Sequence, residues 1–190
     1  MTQKNLLKSL TSSCKKIKEE DLYDLVVYGS IVKGKSYPKD IDIMGIFLEG
    51  SLKYRLEIMQ KIKSKLEISY SIPLDVKSML LTDFFKPEFL ARQGVILEGK
   101  SLIDGKNIAS KFGFKGYKLF TYNLAGLNNS EKTRYIYALS GRYGKGVLER
   151  AKGTSLGKGV IIVPIENSLE FEEFLESWKI SYKSQNILIG

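Results

Sequence analysis

Apolar and polar positions alternate with two different periods along this chain. Residues 4–20 place Leu6, Leu7, Leu10, Cys14 and Ile17 three and four apart with lysines between them, which predicts an amphipathic helix. Leu25-Val26-Val27 is a short apolar run that stops at Gly29, and it reads as a buried strand over 25–29. A second strand is expected over 40–48, where Asp40-Ile41-Asp42 opens the run Ile43 to Leu48. Glu49-Gly50-Ser51 reads as a turn with Ser51 as helix cap, followed by Leu52, Leu56, Met59, Ile62 and Leu66 at helical spacing over 52–67. The next strand, about 71–80, has Pro73 near its entry. Thr82-Asp83 is expected to cap a helix running through Phe84, Phe85, Phe89 and Leu90 toward Ile96-Leu97, with Glu98-Gly99 and Asp104-Gly105 closing the unit.

From about residue 106 the composition shifts toward glycine, lysine and tyrosine. Tyr117, Leu119, Phe120, Tyr122, Leu124 and Leu127 fit either a helix or irregular packing. A helix is expected from Ser130-Glu131-Lys132 through Tyr135, Ile136 and Leu139 to Gly141. The segment Gly141 to Gly146 is glycine-rich and basic, but it lacks the spacing and the trailing Ser/Thr of a P-loop. Gly153 to Gly159 reads as a second such loop, flanked and filled by Lys152 and Lys158. Val160 to Val163 is a buried strand ended by Pro164, Ser168 caps a helix carrying Leu169, Phe171, Phe174, Leu175 and Trp178, and 180–189 reads as a last strand. Trp178 and the phenylalanines read as core. Tyr117, Tyr122, Tyr135, Tyr137 and Tyr143 lie among lysines and arginines and fit either core or base-stacking roles.

Composition narrows the chemistry. The chain has 190 residues, 43% apolar and 27% charged, enough for one full core plus a small appendage. No run approaches a membrane span and the first residues carry no apolar signal-peptide core, so a cytoplasmic location without membrane contact is expected. The single cysteine excludes an internal disulfide and a cysteine metal site, and Cys14 falls on the apolar stripe of the first helix. The absence of histidine excludes Ser-His-Asp and Cys-His catalysis and the usual zinc sites. A general base would have to be a carboxylate, Lys, Tyr or water. The net charge is +9, and residues 111–160 hold ten basic against two acidic residues. That block reads either as a solvated lysine-rich surface or as the holding surface for a polyanion. Its candidate nucleic-acid contacts are Lys115, Lys118, Arg134, Arg142, Lys145, Arg150, Lys152 and Lys158.

The sharpest chemical signal is Tyr28-Gly29-Ser30 followed by Asp40-Ile41-Asp42. Side chains alternate along a strand, so Asp40 and Asp42 share one face while Ile41 and Ile43 take the other. Two like charges on one face repel unless a cation lies between them, and an oxygen-only donor set suits a hard ion such as Mg²⁺ or Mn²⁺. At Gly29-Ser30 the chain turns, and freed backbone N–H groups with the Ser30 hydroxyl can hold phosphate. Lys33 and Lys35 bring positive charge beside that turn, as phosphate contacts or as ordinary loop lysines.

A strand ending in Gly-Ser, a short loop, and a strand opening in Asp-x-Asp together resemble the signature of the DNA polymerase β-like nucleotidyltransferase superfamily in its minimal form. The resemblance covers residues 1–105 and implies an α/β (α+β) fold with a mixed sheet flanked by helices, followed by a small basic C-terminal α/β region over 106–190. It implies Asp75, in Leu74-Asp75-Val76, as the third carboxylate. It further implies that Asp40 and Asp42 hold two metal ions, that Asp75 shares one of them and accepts the proton of the acceptor hydroxyl, and that Gly29 and Ser30 grip the phosphates of a nucleoside triphosphate. The expected activity is metal-dependent transfer of a nucleoside monophosphate from an NTP, ATP among the candidates, to a hydroxyl. The expected acceptor is RNA, DNA or a nucleic-acid-associated partner held by the 111–160 block. Transfer to a protein partner, as in minimal nucleotidyltransferase antitoxins, a catalytically silent nucleic-acid-binding adaptor and a small-molecule acceptor are the alternatives.

Overall fold

The computed structural model describes residues 3–33 and 38–190, and the chain divides into two units, Met1–Gly113 and Phe114–Gly190. The fold is mixed α/β, with one mixed and one antiparallel four-stranded sheet. In the first unit α1 (Gln3–Cys14) precedes β1 (Leu22–Tyr28), β2 (Ile41–Phe47), α2 (Leu52–Glu67), β3 (Leu74–Leu80), a two-residue β4 (Lys100–Ser101) and α3 (Ile108–Lys111). The sheet order is β3-β2-β1-β4; β2 and β3 run parallel, and β1 is antiparallel to both β2 and β4. β1 and β2 lie inside the sheet, which explains their continuous apolar runs: both faces are covered. Leu25, Val27, Ile41 and Ile43 pack under α1 and α2, while Val26, Met44 and Ile46 pack with Phe84, Val95 and Ile108 on the opposite face.

Several expected elements change in length or type. The first helix stops at Cys14, six residues short of its expected end at 20, with Ile17 still packed against the core. α2 spans the expected residues and Ser51 caps it by accepting the Tyr54 N–H. Its buried stripe, however, is Arg55, Ile58, Met59, Ile62 and Leu66, while Leu52 and Leu56 are exposed. The two stripes share Met59, Ile62 and Leu66, and a helix can turn only one of them toward the sheet. The helix expected after Thr82 is a 3₁₀ turn at Leu81–Phe85 and a π-helical turn at Gly94–Glu98. Pro87 interrupts the backbone ladder between them, which prevents one continuous helix.

The division into units falls at Gly113, eight residues beyond the expected boundary at 105. Residues 106–113 belong to the first unit because Ile108 is in its core and Lys111 reaches a buried carboxylate. Asp24 is fully buried in β1; it accepts from Ser101 Oγ at 2.7 Å and from Lys111 Nζ at 2.6 Å. Lys111 also bonds Asp104 at 3.0 Å. Burial opposes its charge, but the bonds to Asp24 and Asp104 outweigh that and raise its pKa.

In the second unit β5 (Lys115–Tyr122), α4 (Asn129–Ser140), α5 (Val147–Arg150), β6 (Thr154–Gly157), β7 (Val160–Pro164), α6 (Ser168–Ser177) and β8 (Tyr182–Ile189) follow in order. All pairings are antiparallel in the order β6-β7-β5-β8. This is the split β-α-β-β-α-β arrangement. The stretch that fits a helix or irregular packing by sequence is strand β5 up to Tyr122. Phe120 and Lys118 face the helices, where Phe120 meets Phe171 at 5.0 Å between ring centroids and Lys118 pairs with Glu172. The segment between Gly153 and Gly159, expected as loop, contains β6. Trp178 and Phe174 pack on Tyr135 in the core. Ser168 is the first residue of α6 rather than its cap, and its hydroxyl donates back to the Ile165 carbonyl. No helix among the described residues is long and apolar enough to cross a membrane.

Removing Lys111 strands a buried carboxylate, so Lys111→Ala is expected to destabilise the first unit by about 3 kcal/mol or more. Urea unfolding followed by far-UV circular dichroism should reveal an early transition. Fluorescence of Trp178, which reports only the second unit, should stay at the parental midpoint. Coincident parental transitions in both signals would contradict this role.

Candidate active site

The candidate carboxylates gather at one end of the mixed sheet, where β1 ends and β2 and β3 begin. Asp42 is the register partner of Tyr28 on one side and of Asp75 on the other. Register partners on adjacent strands present their side chains to the same face, so Asp42 and Asp75 stand side by side. Asp40, just before β2, is exposed, and its charge is the largest charge effect on Asp42. Ile41 and Ile43 are fully buried on the other face and anchor this register. The Ile41 N–H donates to the Pro73 carbonyl at 2.9 Å, which extends the parallel ladder toward the site.

Asp42 is partly buried. That burial, then the negative charges of Asp40 and Asp75, raise its pKa, while Lys77 opposes the shift. Tyr28, beside it, is also raised, first by burial, and again with Lys77 opposing and Asp42 and Asp75 adding. Gly29 opens a 3₁₀ turn with φ +79°, and a Cβ there would lie 2.7 Å from Asp42 Oδ2. Both the dihedral and the close approach require glycine. Ser30 lies in this same turn, beside the carboxylates, and its hydroxyl makes no hydrogen bond to the described residues.

Lys77 is the functional residue that sequence spacing did not single out. Two positions after Asp75, it shares that face, and its Nζ lies 2.7 Å from Asp75 Oδ2. The hydrogen bond to Asp75 is the main cause of its raised pKa. The signal was present as Asp-x-Lys on one strand, but only the strand register brings this cation to Asp42 as well as Asp75. Among the described residues no group of three or more acidic, His or Cys side chains is drawn together as a ready metal cage. Asp75 is engaged by Lys77 instead.

The remaining predicted residues separate. Lys33 is held by Glu98 at 2.9 Å, and Glu98 is itself buried, so this lysine balances an interior charge. Lys35 lies outside the described residues. In the second unit Lys118 is bound to Glu172, Lys145 to Glu149 and Arg150 to Glu170. Arg142 lies over the rings of Tyr137 and Tyr143 at 4.7 and 5.1 Å. Lys115, Arg134, Lys152 and Lys158 are exposed and form no ion pair with the described residues. Tyr135 and Tyr122 are packed in the core cluster, whereas Tyr143 is 90% exposed.

The chain matches no protein-family model and no curated protein.

Because Asp42 binds its proton more tightly folded than unfolded, its ionised form costs stability above its raised pKa. That cost disappears as pH falls through the raised pKa toward the ordinary 3.8. Asp42→Asn is therefore expected to raise the melting temperature at pH 7 in chelator-treated protein, with the gain shrinking to zero under acid. A gain that persists at pH 3 would point to packing rather than charge. Lys77→Met removes the cation that competes for Asp75, and Mn²⁺ affinity measured by calorimetry is expected to rise about three- to tenfold, the worth of one partly exposed charge pair.

Proposed function

We propose that this chain is a metal-dependent nucleotidyltransferase of the polymerase β-like kind, moving a nucleoside monophosphate from an NTP to a hydroxyl on nucleic acid. The observation that carries the reading is the side-by-side pair Asp42–Asp75, with Asp40 and the Gly29-Ser30 turn beside it. Burial first, and then the charges of Asp40 and Asp75, disfavour the ionised form of Asp42, and a cation bound between these carboxylates would relieve the charge part of that cost. The donor set is oxygen only, and it fits Mg²⁺ or Mn²⁺. Asp40, Asp42 and Asp75 would hold the ions, with Lys77 leaving Asp75 in the process. When bound, divalent ions supply neutralisation of phosphate charge and a lowered hydroxyl pKa.

The chain's own groups take the other roles. The Gly29 turn lets phosphate oxygens approach the backbone without a side chain in the way, and the Ser30 hydroxyl is available to donate to them. Asp75, nearly half exposed, accepts the proton of the incoming hydroxyl. With Lys77 released from that carboxylate, its ammonium can meet the negative charge of the triphosphate. The buried apolar rows on β1 and β2 keep the carboxylates in fixed register, which is the positioning that phosphoryl transfer demands. The acceptor is drawn to the second unit, where Lys115, Arg134, Lys152 and Lys158 have no carboxylate partner among the described residues and Arg142 sits among exposed tyrosines. Lys118, Lys145 and Arg150 contribute less because acids already meet them.

Incubation with each labelled nucleoside triphosphate, Mg²⁺ and single-stranded RNA or DNA tests this directly. Asp40→Ala and Asp42→Ala are expected to lower transfer about a hundredfold or more while the fold persists. Transfer at parental rate in either variant would end the assignment, as would absence of transfer to any acceptor across all four triphosphates.

A further inference from the structure

A cleft of about 670 Å³ lies wholly within the second unit, between one face of α4, the end of β5 and the β6–β7 turn. That volume suits a drug-sized organic ligand. From α4 it takes Lys132, Tyr135, Ile136 and Leu139, spaced i, i+3, i+4 and i+7 along one stripe. The charge thus sits at the start of the helix and the apolar wall follows. Leu124 faces in from the end of β5, and Ile136 is half exposed although it is apolar.

Three features indicate a ligand of mixed character. Tyr135 is 1% exposed, and its buried hydroxyl is directed at the phenol of Tyr122, which is only partly buried and lines the cleft. With the Tyr135 proton turned toward it, the Tyr122 hydroxyl keeps its own proton for an incoming acceptor atom. Second, Lys158 is held at the cleft by a turn built for it. Gly159 has φ +72°, a Cβ there would come 2.2 Å from the Tyr122 carbonyl oxygen, and its own carbonyl accepts the Tyr122 N–H at 2.9 Å. Third, no acidic residue lines the cleft, and neither Lys132 nor Lys158 forms an ion pair with the described residues. The neighbouring Lys145 and Arg150 are both paired with glutamates.

An apolar wall with aromatic rings takes a flat ring, two unpaired lysines take an anion, and a phenol hydroxyl takes a ring carbonyl or ring nitrogen. We propose that this cleft holds one nucleotide unit of a single-stranded polynucleotide, the base against Ile136, Leu139 and the partly buried Tyr122, its phosphate at Lys132 and Lys158. This rests on the reading of the second unit as the holder of a nucleic-acid acceptor.

The test is fluorescence anisotropy with the full chain and labelled single-stranded 12-mers of RNA and DNA at several salt concentrations. Lys132→Ala and Lys158→Ala are each expected to weaken binding about three- to tenfold and to reduce the salt slope by about 1. Ile136→Asp, at an exposed position, should weaken it about tenfold or more. Tyr122→Phe keeps the packing and should lose several-fold for base-bearing strands only, with abasic strands unaffected. Lys145→Ala, outside the cleft and already paired, should change affinity less than twofold. Cleft variants that bind like the parent would overturn the cleft assignment while leaving nucleic acid as the acceptor class. Equal competition by an abasic strand or by polyglutamate would also overturn it. Failure of the parent to bind any strand would remove both the cleft assignment and the nucleic-acid acceptor. Transfer of label from a triphosphate, abolished by Asp42→Ala, is read separately and does not depend on these outcomes.

Discussion

Like charges held at fixed separation dominate the first unit. Asp42 and Asp75 are locked in register on adjacent parallel strands, and neither strand can slip without turning Ile41, Ile43 and Leu74 out of the core. The repulsion therefore cannot relax by backbone motion. It is met by protonation, by a cation from the chain, or by a cation from solution. Lys77 supplies the second of these in the ligand-free protein, while Asp42 keeps a raised pKa, first from its burial and then from the charges of Asp40 and Asp75.

Elsewhere the same unit handles charge differently. Asp24 is fully buried, yet it is satisfied by Ser101 and Lys111 within its own unit. Glu98 is similarly matched by Lys33. The first pair binds late segments to β1 and the second binds Glu98 to the turn that follows β1, which is why Lys33 and Lys111 are not free to act on a ligand. The carboxylates at the sheet end remain the ones with an unmet demand.

The second unit pairs only some of its cations. Lys118 and Arg150 find glutamates on α6, and Lys145, in the loop before α5, finds Glu149. Lys115, Lys132, Arg134, Lys152 and Lys158 form no ion pair with the described residues. Of the basic residues that the sequence spreads over fifty positions, the unpaired ones include Lys158 in the β6–β7 turn and Lys132 and Arg134 on α4.

Sequence by itself determined the strands β1, β2 and β7, the helices α2, α4 and α6 to within a few residues, and the start of α1, because each depends on local period alone. It did not determine β5, whose buried and half-buried residues follow each other without clean alternation since the strand is interior to its sheet. Nor did it determine the buried stripe of α2, where two overlapping patterns compete and only contact with the sheet decides. The pairing of Asp42 with Asp75, the insertion of Lys77 and the removal of Lys33 and Lys118 into ion pairs were all decided by tertiary structure. All but the Lys77–Asp75 contact, which joins residues two apart on β3, link residues distant in sequence, and there register and packing, not local spacing, determine which charges meet.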